Sequence, residues 1–483
     1  MDTIGAPCYN DYTVKQAFEK ELISMDLLTR LLIVDLSRLQ FAVTVITHFM
    51  FVTTTIGLYT ITVIFEFFYA FGKPKNQETY GRLALFFAKI GFLSFGLGVV
   101  TGLVMEFQFG LNWSAYAAFF GDIIGVPISI ETMAAFFLET VLLGLWRFSW
   151  GKINKKVHCI IGASVLITSL FSAVFVISAN AFMQHPVGFS MVNGAATLDS
   201  FGQLLTNPRY WPQVLHVVGG IMIAGGLLTA GISAWQILNK RDVQVFKKSA
   251  QMGLLIMIPF VFIQPVLGDQ QIIATWDTQP MKYSAIQETP QTIPDAVNAS
   301  MADIAQQYRD RFDGTVAASY EGHMTYLLPA NVLFYSKYLM EHSGWLYMVV
   351  ATLGLILLHR KVKPIEAHRK MLIVLGLVMW LPYLSLILGW IVAEVGRYPF
   401  VVYGIFTHLD AVSPTMSLPK IITSLSLFII IDVTLLTLMI ILSRRVLQKG
   451  APNVHDDFLE NFRAPVHESI HEIDCFGEEE KRC

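Results

Sequence analysis

The chain has 483 residues, of which 54% are hydrophobic and only 14% are charged. A soluble domain carries about a quarter charged residues, so most of this surface does not face water. The net charge of −2 excludes a chain-wide attraction to nucleic acid. The four cysteines are scattered and match neither a metal-ligand spacing nor a disulfide framework. The composition therefore predicts an all-α, polytopic integral membrane protein.

Apolar stretches long enough to cross a bilayer recur along the chain. Residues 1–35 precede them as an N-terminal extension, without the basic start, apolar core and cleavage site of a signal peptide. Residues 36–267 hold spans 1–6, residues 343–445 hold spans 7–9, and an acidic tail follows at 446–483. We predict about nine transmembrane helices, at roughly 41–71, 83–105, 124–149, 157–182, 213–239, 247–267, 343–359, 371–394 and 419–443.

Basic residues alternate between the connecting loops. Lys and Arg cluster after spans 1, 3, 5, 7 and 9, whereas the loop after span 2 has none and those after spans 4 and 8 have very few. Five successive loops keep this pattern, which argues against chance. The positive-inside rule then predicts an outer N-terminus and a cytoplasmic C-terminus. The one long polar loop, 268–342, is predicted on the outer face, where a loop of this length is usually functional or a linker.

Two histidines are predicted inside spans, both toward the outer half. His48 lies early in span 1 and His216 early in span 5, one turn before Gly219 and Gly220. Neutral imidazole is a common iron ligand. Taken singly, each histidine is more often a hydrogen-bond donor in helix packing, and the two glycines can admit either a flat macrocycle or another helix.

Three further side chains lie at predicted outer ends of spans. Met340 opens span 7, and a thioether is a known axial partner of heme, although this chain has 19 methionines. Glu394 ends span 8, three residues before Arg397. An arginine there can pair with a heme propionate. The alternative is an interfacial Glu–Arg ion pair, which contributes little.

Glu131 and Glu139 lie in span 3, eight residues apart. That spacing is a little over two helical turns and separates the carboxyl groups by about 12 Å along the axis, on one face. Two carboxylates on one buried helix face suggest a proton relay. The alternative is a pair that neighbouring Ser and Thr side chains simply satisfy.

Together these segments resemble subunit I of the cytochrome bd family of quinol oxidases. The resemblance covers about residues 35–445 in family order. It is carried by SRLQF ahead of His48, MEFQFGLNWS, GDIIGVP, the Glu131 and Glu139 helix, ANAFMQHP, the His216 helix, GISAW, LGDQ, QPMK, the Met340 helix and GWIVAEVGR.

The resemblance implies three hemes: two heme b, one low-spin and one high-spin, and one heme d or a third heme b. His216 and Met340 would be the axial ligands of the low-spin heme. His48 and Glu394 would each ligate one high-spin heme, in an order the resemblance leaves open. The other implied roles are a proton route through Glu131 and Glu139, contacts to the high-spin hemes from Arg397 and Trp390, and a quinol-binding loop with Lys282 and Glu288.

Three positions depart from the family pattern. Gln287 stands where the family usually has a glutamate, with Glu288 directly after it. Tyr338 replaces an arginine ahead of Met340, and Phe400 replaces a tryptophan. The first two departures bear on the quinol end of the molecule, whose loop is of the family's short type.

The resemblance implies a heme-bearing catalytic subunit that oxidises quinol, reduces oxygen to water and generates proton motive force without pumping. Its expected surroundings are the prokaryotic cytoplasmic membrane, subunit II, and a set of small single-span subunits in some complexes. Two other functions stay open: a membrane transporter with buried ionisable residues, or a b-type electron carrier that does not react with oxygen. The sequence does not separate ubiquinol from menaquinol.

Overall fold

The computed structural model describes residues 11–287, 330–359 and 368–455. Within these ranges nine helices are long and apolar enough to cross a membrane, which confirms the predicted all-α, nine-span fold. Spans 1 to 9 are Leu28–Phe71, Pro74–Leu111, Ser114–Phe148, Lys155–Gln184, Tyr210–Leu238, Val243–Thr278, Asn331–His359, Arg369–Val395 and Leu418–Lys449.

Several spans differ in detail from a single straight helix. Span 1 is the later part of a helix that begins at Asp11, and the helix of span 7 begins at Ala330. Span 3 consists of Ser114–Ile130, a π-helix at Glu131–Phe136, and Phe137–Phe148. Span 8 consists of two helices, Arg369–Val378 and Leu381–Val395.

Short elements connect the spans. Strands β1 (Phe189–Val192) and β2 (Ala195–Leu198) form an antiparallel pair between spans 4 and 5. Strands β3 (Phe400–Val402) and β4 (Phe406–Thr407) form another between spans 8 and 9. The short helices are Phe201–Leu205, Pro280–Gln287 and His408–Ala411.

The predicted loop 268–342 is wrong at both ends. Span 6 continues as helix to Thr278, and the helix of span 7 already covers the residues from Ala330 onward. Polar residues end the membrane-compatible stretch, but they do not end the helix, because helix formation does not depend on apolarity. The same reason moves the start of span 1 ahead of residue 41. Residues 288–329, with Glu288, lie outside the described residues.

The core lies around span 5, which is the most buried span, with 83% of its most apolar stretch covered. Glycines allow its close contacts. A Cβ atom on Gly57 of span 1 would lie 2.8 Å from Gly225 Cα, and one on Gly226 would lie 2.6 Å from the Gly253 oxygen of span 6. Odd-numbered spans begin, and even-numbered spans end, at one end of the bundle, which we call the N-terminal face.

Candidate functional site

A cavity of about 470 Å³ lies between spans 5, 6, 7 and 8 toward the N-terminal face. His216 of span 5 and Met340 of span 7 both line it. Met340 lies ten residues inside its helix, which begins at Ala330, and not at the start of the span as predicted. The cavity therefore brings together two side chains that the sequence separates by more than one hundred residues.

Glycines make room beside both side chains. A Cβ on Gly389 of span 8 would lie 3.1 Å from Met340 Sδ, and one on Gly268 would lie 3.5 Å from His216 Cε1. A Cβ on Gly219 would meet Gln264 Oε1 at 2.3 Å. Glycine at these positions lets the neighbouring side chains approach the backbone more closely than any larger residue would allow.

The Gln264 amide holds the backbone and ring of His216. Gln264 Nε2 donates to the His216 carbonyl oxygen at 2.9 Å and lies 3.3 Å from Nδ1 of the same residue. His216 Nε2 makes no hydrogen bond among the described residues. This nitrogen is thus the one that a ligand in the cavity can meet.

Buried cations lie at one end of the cavity. Lys282 is 1% exposed, and its Nζ donates to Gln184 Oε1 at 2.7 Å and to the Ala393 carbonyl at 2.9 Å. Burial lowers the pKa of Lys282 well below its usual range; Arg209 and Arg397 lower it further, and Glu394 opposes them. Burial also lowers the pKa of Arg209 to about 10. Such cations can hold carboxylates of a ligand.

His48 is fixed by two hydrogen bonds to span 2. Its Nδ1 lies 3.1 Å from both the Gly98 carbonyl oxygen and Thr101 Oγ1. Because a carbonyl only accepts, Nδ1 carries the hydrogen, and Nε2 keeps the lone pair that a metal needs. Metal-bound histidines commonly donate their other N–H to a carbonyl in this way.

Glu394 is held by three donors at the end of span 8. Asn180 Nδ2 and Gln184 Nε2 donate to Oε1 at 2.9 and 3.3 Å, and Arg397 Nη2 donates to Oε2 at 2.5 Å. Trp390 lines the His216 cavity and contacts Phe49, edge to face, at a centroid distance of 5.5 Å. Trp390 therefore contacts both the cavity that contains His216 and Phe49, the residue after His48.

Glu131 and Glu139 share one face of span 3 because of the π-helix between them. In a regular α-helix eight residues overshoot two turns by about 80°, whereas a π turn absorbs one residue and leaves an offset of about 20°. Ser172 and Ser169 of span 4 donate to Glu131 Oε1 and Glu139 Oε1 at 2.7 and 2.5 Å. Both carboxyl groups thus face span 4.

Sequence reasoning missed several polar side chains at these sites. Asn180 and Gln184 lie within the ANAFMQHP segment, and the signal that could have found them is polarity at the end of an apolar run.

Sequence reasoning also missed a buried pair at the opposite face of the bundle. His158 Nδ1 lies 3.1 Å from Glu66 Oε2, and Trp146 Nε1 donates to Glu66 Oε1 at 2.8 Å.

The fold and cavity define a class: a polytopic membrane protein in which a histidine and a methionine from different spans line one internal cavity. Comparison with known proteins narrows it. The profile of the family described as cytochrome bd terminal oxidase subunit I matches residues 36–451. The chain therefore belongs to the cytochrome bd terminal oxidase subunit I family.

Curated relatives and a solved structure agree with this assignment. Cytochrome bd ubiquinol oxidase subunit 1 of Bacillus subtilis is 34% identical over 450 residues, covering 87% of this chain and 95% of the relative. Cytochrome bd-II ubiquinol oxidase subunit 1 of Escherichia coli is 36% identical over 264 residues, covering 54% and 51%. The bd oxidase structure from Geobacillus thermodenitrificans has a TM-score of 0.71 at 23% identity, covering 86% of this chain and 98% of that one, and shares the fold.

Family membership confirms the predicted class of enzyme, a cytochrome bd type quinol oxidase, and the chain is a multi-span membrane protein of a bacterial respiratory oxidase. The family contains heme and works with a subunit II. The heme types, the ligand residues and the orientation of the termini stay predictions.

Proposed function

We propose that this chain is the heme-bearing catalytic subunit that oxidises quinol and reduces oxygen to water, and that it generates proton motive force without pumping. The observation that carries the proposal is the cavity of about 470 Å³ with His216 and Met340 on its walls. Its glycines, its aromatic neighbour Trp390 and its buried cations fit a flat macrocycle with carboxylate substituents.

The residues present fit the proposed hemes. His216 and Met340 would hold a low-spin heme b, with Arg209 and Lys282 facing its carboxylates. When bound, the hemes would supply electron transfer and, at a position left open, oxygen binding. The ligands of the two high-spin hemes, one heme b and one heme d or third heme b, would be His48 and Glu394.

The chain's own groups would orient these ligands. Gly98 and Thr101 set the tautomer of His48, so that its Nε2 is available without rearrangement. Asn180 and Arg397 hold the Glu394 carboxylate in place. Ligands fixed in advance bind a metal more tightly than mobile ones.

Protons for water would pass along span 3. Glu139 and Glu131 face Ser169 and Ser172 of span 4, which can relay a proton between carboxyl groups. With the N-terminal face outside, electrons enter from the outer side and these protons come from the cytoplasm. Charge is then separated across the membrane without a pump, and each charge moved against 100 mV stores about 2.3 kcal/mol.

Quinol would bind near the short helix Pro280–Gln287 at the N-terminal face. Lys282 lines the cavity with His216. Gln287 Oε1 lies 3.5 Å from Lys337 Nζ, which also pairs with Glu341 at 3.0 Å. We propose Lys282 and Glu288 as quinol contacts, subunit II as the obligatory partner, and small single-span subunits as additional ones.

The heme content tests this proposal directly. A pyridine-hemochrome and redox spectrum of the purified membrane complex should give three hemes, either two heme b and one heme d or three heme b. His216→Ala should remove the low-spin b signal and leave the high-spin signals. A colourless complex would contradict the proposal and favour a transporter. A low-spin signal that survives His216→Ala would contradict His216 as a ligand of that heme.

The proton route has its own test. Glu139→Ala should lower oxygen uptake by about a hundredfold while heme content is unchanged, since relay groups contribute about 10²–10⁴-fold. The control is Thr140→Val, on the next residue, whose hydroxyl only bonds to the Phe136 carbonyl of its own helix. Full turnover in Glu139→Ala would exclude the relay.

A further inference from the structure

Span 9 carries a single carboxyl group, Asp432, within its apolar stretch. Asp432 is 2% exposed although the structure holds this chain alone, so neither lipid nor a partner subunit can cover it further. The Thr47 side chain of span 1 lies beside this carboxyl group, but neither carboxyl oxygen has a hydrogen-bond partner among the described residues. Carboxyl groups buried in this way inside a membrane are costly and usually functional.

A line of polar side chains leads from Asp432 to the N-terminal face between spans 1, 2 and 9. Ser424 Oγ donates to Gln40 Oε1 at 2.9 Å, and Gln108 Nε2 donates to Thr44 Oγ1 at 2.7 Å. Spans 1 and 9 run side by side away from this face, so the Ser424 contact lies about two turns nearer the face than Asp432, and the Thr44 contact about one turn nearer. We call this line the polar seam: Ser37, Gln40, Thr44, Thr47, Gln108, Asn112, Ser424 and Asp432.

The polar seam contains buried atoms that no described residue satisfies. These are Ser37 Oγ, Gln40 Nε2, Gln108 Oε1, both amide atoms of Asn112, and both Asp432 oxygens. Exchanging the amide nitrogen and oxygen of a glutamine changes which atom is unsatisfied, but it does not supply a partner. Buried polar atoms without a protein partner are normally paired with ordered water. The seam is therefore a place for a file of water molecules.

The neighbouring spans bring no cation to Asp432. Span 1 has no Lys, Arg, Asp or Glu between residues 38 and 66, and span 2 has none between 89 and 106. The titratable groups in these stretches are engaged elsewhere: His48 with Gly98, and Tyr59 with Trp146. Glu106 is an exposed residue of span 2, on the side of Glu131 of span 3. An unpaired carboxylate in such surroundings has to be neutralised, by a proton or by a small hydrated cation.

We propose that Asp432 is a protonation site that exchanges its proton with the aqueous phase at the N-terminal face through water in the polar seam. The unsatisfied atoms of Asn112 and Gln40, and then of Gln108, mark positions for that water at increasing depth. Identifying this aqueous phase as the outer one rests on the proposed function; the site itself does not.

The test follows the exchange of one carboxyl proton. The purified complex with its partner subunit, carrying isotope-labelled aspartate, is placed in lipid nanodiscs and transferred from H2O to D2O under infrared detection. We expect the carbonyl band of a protonated carboxyl group that shifts in D2O and is absent in Asp432→Asn. Gln108→Leu retains Asp432 but interrupts the water file, so exchange should slow about tenfold.

The control variant is Thr434→Val, two residues from Asp432 on the exposed side of span 9, which should leave band and exchange unchanged. A band that persists in Asp432→Asn, or exchange at the original rate in Gln108→Leu, would overturn the proposal. So would an ionised carboxylate band that follows the sodium concentration, which would indicate a cation site. The visible spectrum of each variant checks its assembly, and no readout uses oxidase turnover. Failure of the proposed oxidase mechanism would therefore leave this test valid. If Asp432→Asn does not assemble, the exchange rate in Gln108→Leu still tests the proposal.

Discussion

His48 and His216 are two partly buried histidines in the same half of the bundle, and the protein holds their rings differently. The His48 ring has two partners at 3.1 Å, one of them a backbone carbonyl that fixes its tautomer. Among the residues that the structure describes, the His216 ring has only the Gln264 amide as a polar partner, at 3.3 Å, and it opens into the cavity. The comparison indicates that span 2 positions His48 before any cofactor binds, whereas the His216 ring is left to be positioned by a ligand in the cavity, where Met340 is the second side chain.

The largest effect should come from removing that second side chain. Met340→Leu keeps the volume but loses the thioether, so the low-spin heme should become high-spin or be lost, and quinol-driven oxygen uptake should fall about a hundredfold or more. Optical spectra and oxygen uptake measure this. Met348→Leu in the same span, which packs against the core, is the matched control. An unchanged low-spin spectrum in Met340→Leu would mean that another residue provides the second ligand.

Two glycine variants compare a fixed ring with a flexible thioether. Gly102→Ala would place a Cβ 3.0 Å from His48 Cε1, and Gly389→Ala would place one 3.1 Å from Met340 Sδ. The Met340 thioether can move, whereas the hydrogen-bonded His48 ring cannot. Gly102→Ala should therefore perturb the spectrum of the heme at His48 more than Gly389→Ala perturbs that of the heme at Met340. Gly96→Ala and Gly376→Ala, with no atoms within 4 Å, are the controls in the same two spans. Equal perturbations would contradict the difference in rigidity.

The smallest effects should come from the partners of the two rings. Thr101→Val removes one of two bonds to His48 Nδ1 and should weaken retention of the heme there by about fivefold, the value of one hydrogen bond of about 1 kcal/mol. Gln264→Leu removes the 3.3 Å contact to the His216 ring together with the bond to the His216 carbonyl, and because the ring contact is the longer one it should change heme retention at that site less. Heme loss to a scavenger protein measures both rates. A larger loss in Gln264→Leu would reverse the comparison.

Sequence reasoning predicted the nine spans well because length and apolarity decide which segments cross a bilayer. It failed where helices continue through polar residues, as at Thr278 and before residue 41. It selected His48, His216, Met340 and Glu394, but it could not place Gln264 or Thr101 beside them. Those contacts come from spans distant in sequence, and hydrogen-bond partners of this kind leave no periodic pattern.

The π-helix in span 3 has a consequence for how the relay could arise. A π turn is equivalent to an α-helix with one residue inserted. Gaining a single codon in the region of residues 131–136 would rotate one part of a regular α-helix by about 100° against the other, but a π turn absorbs that residue and keeps both parts in their former register. An α-helix with one residue fewer would hold the two carboxyl groups seven residues apart, on the same face. The pairing of Glu131 and Glu139 can therefore survive a change in chain length without any change in the residues that bond to them.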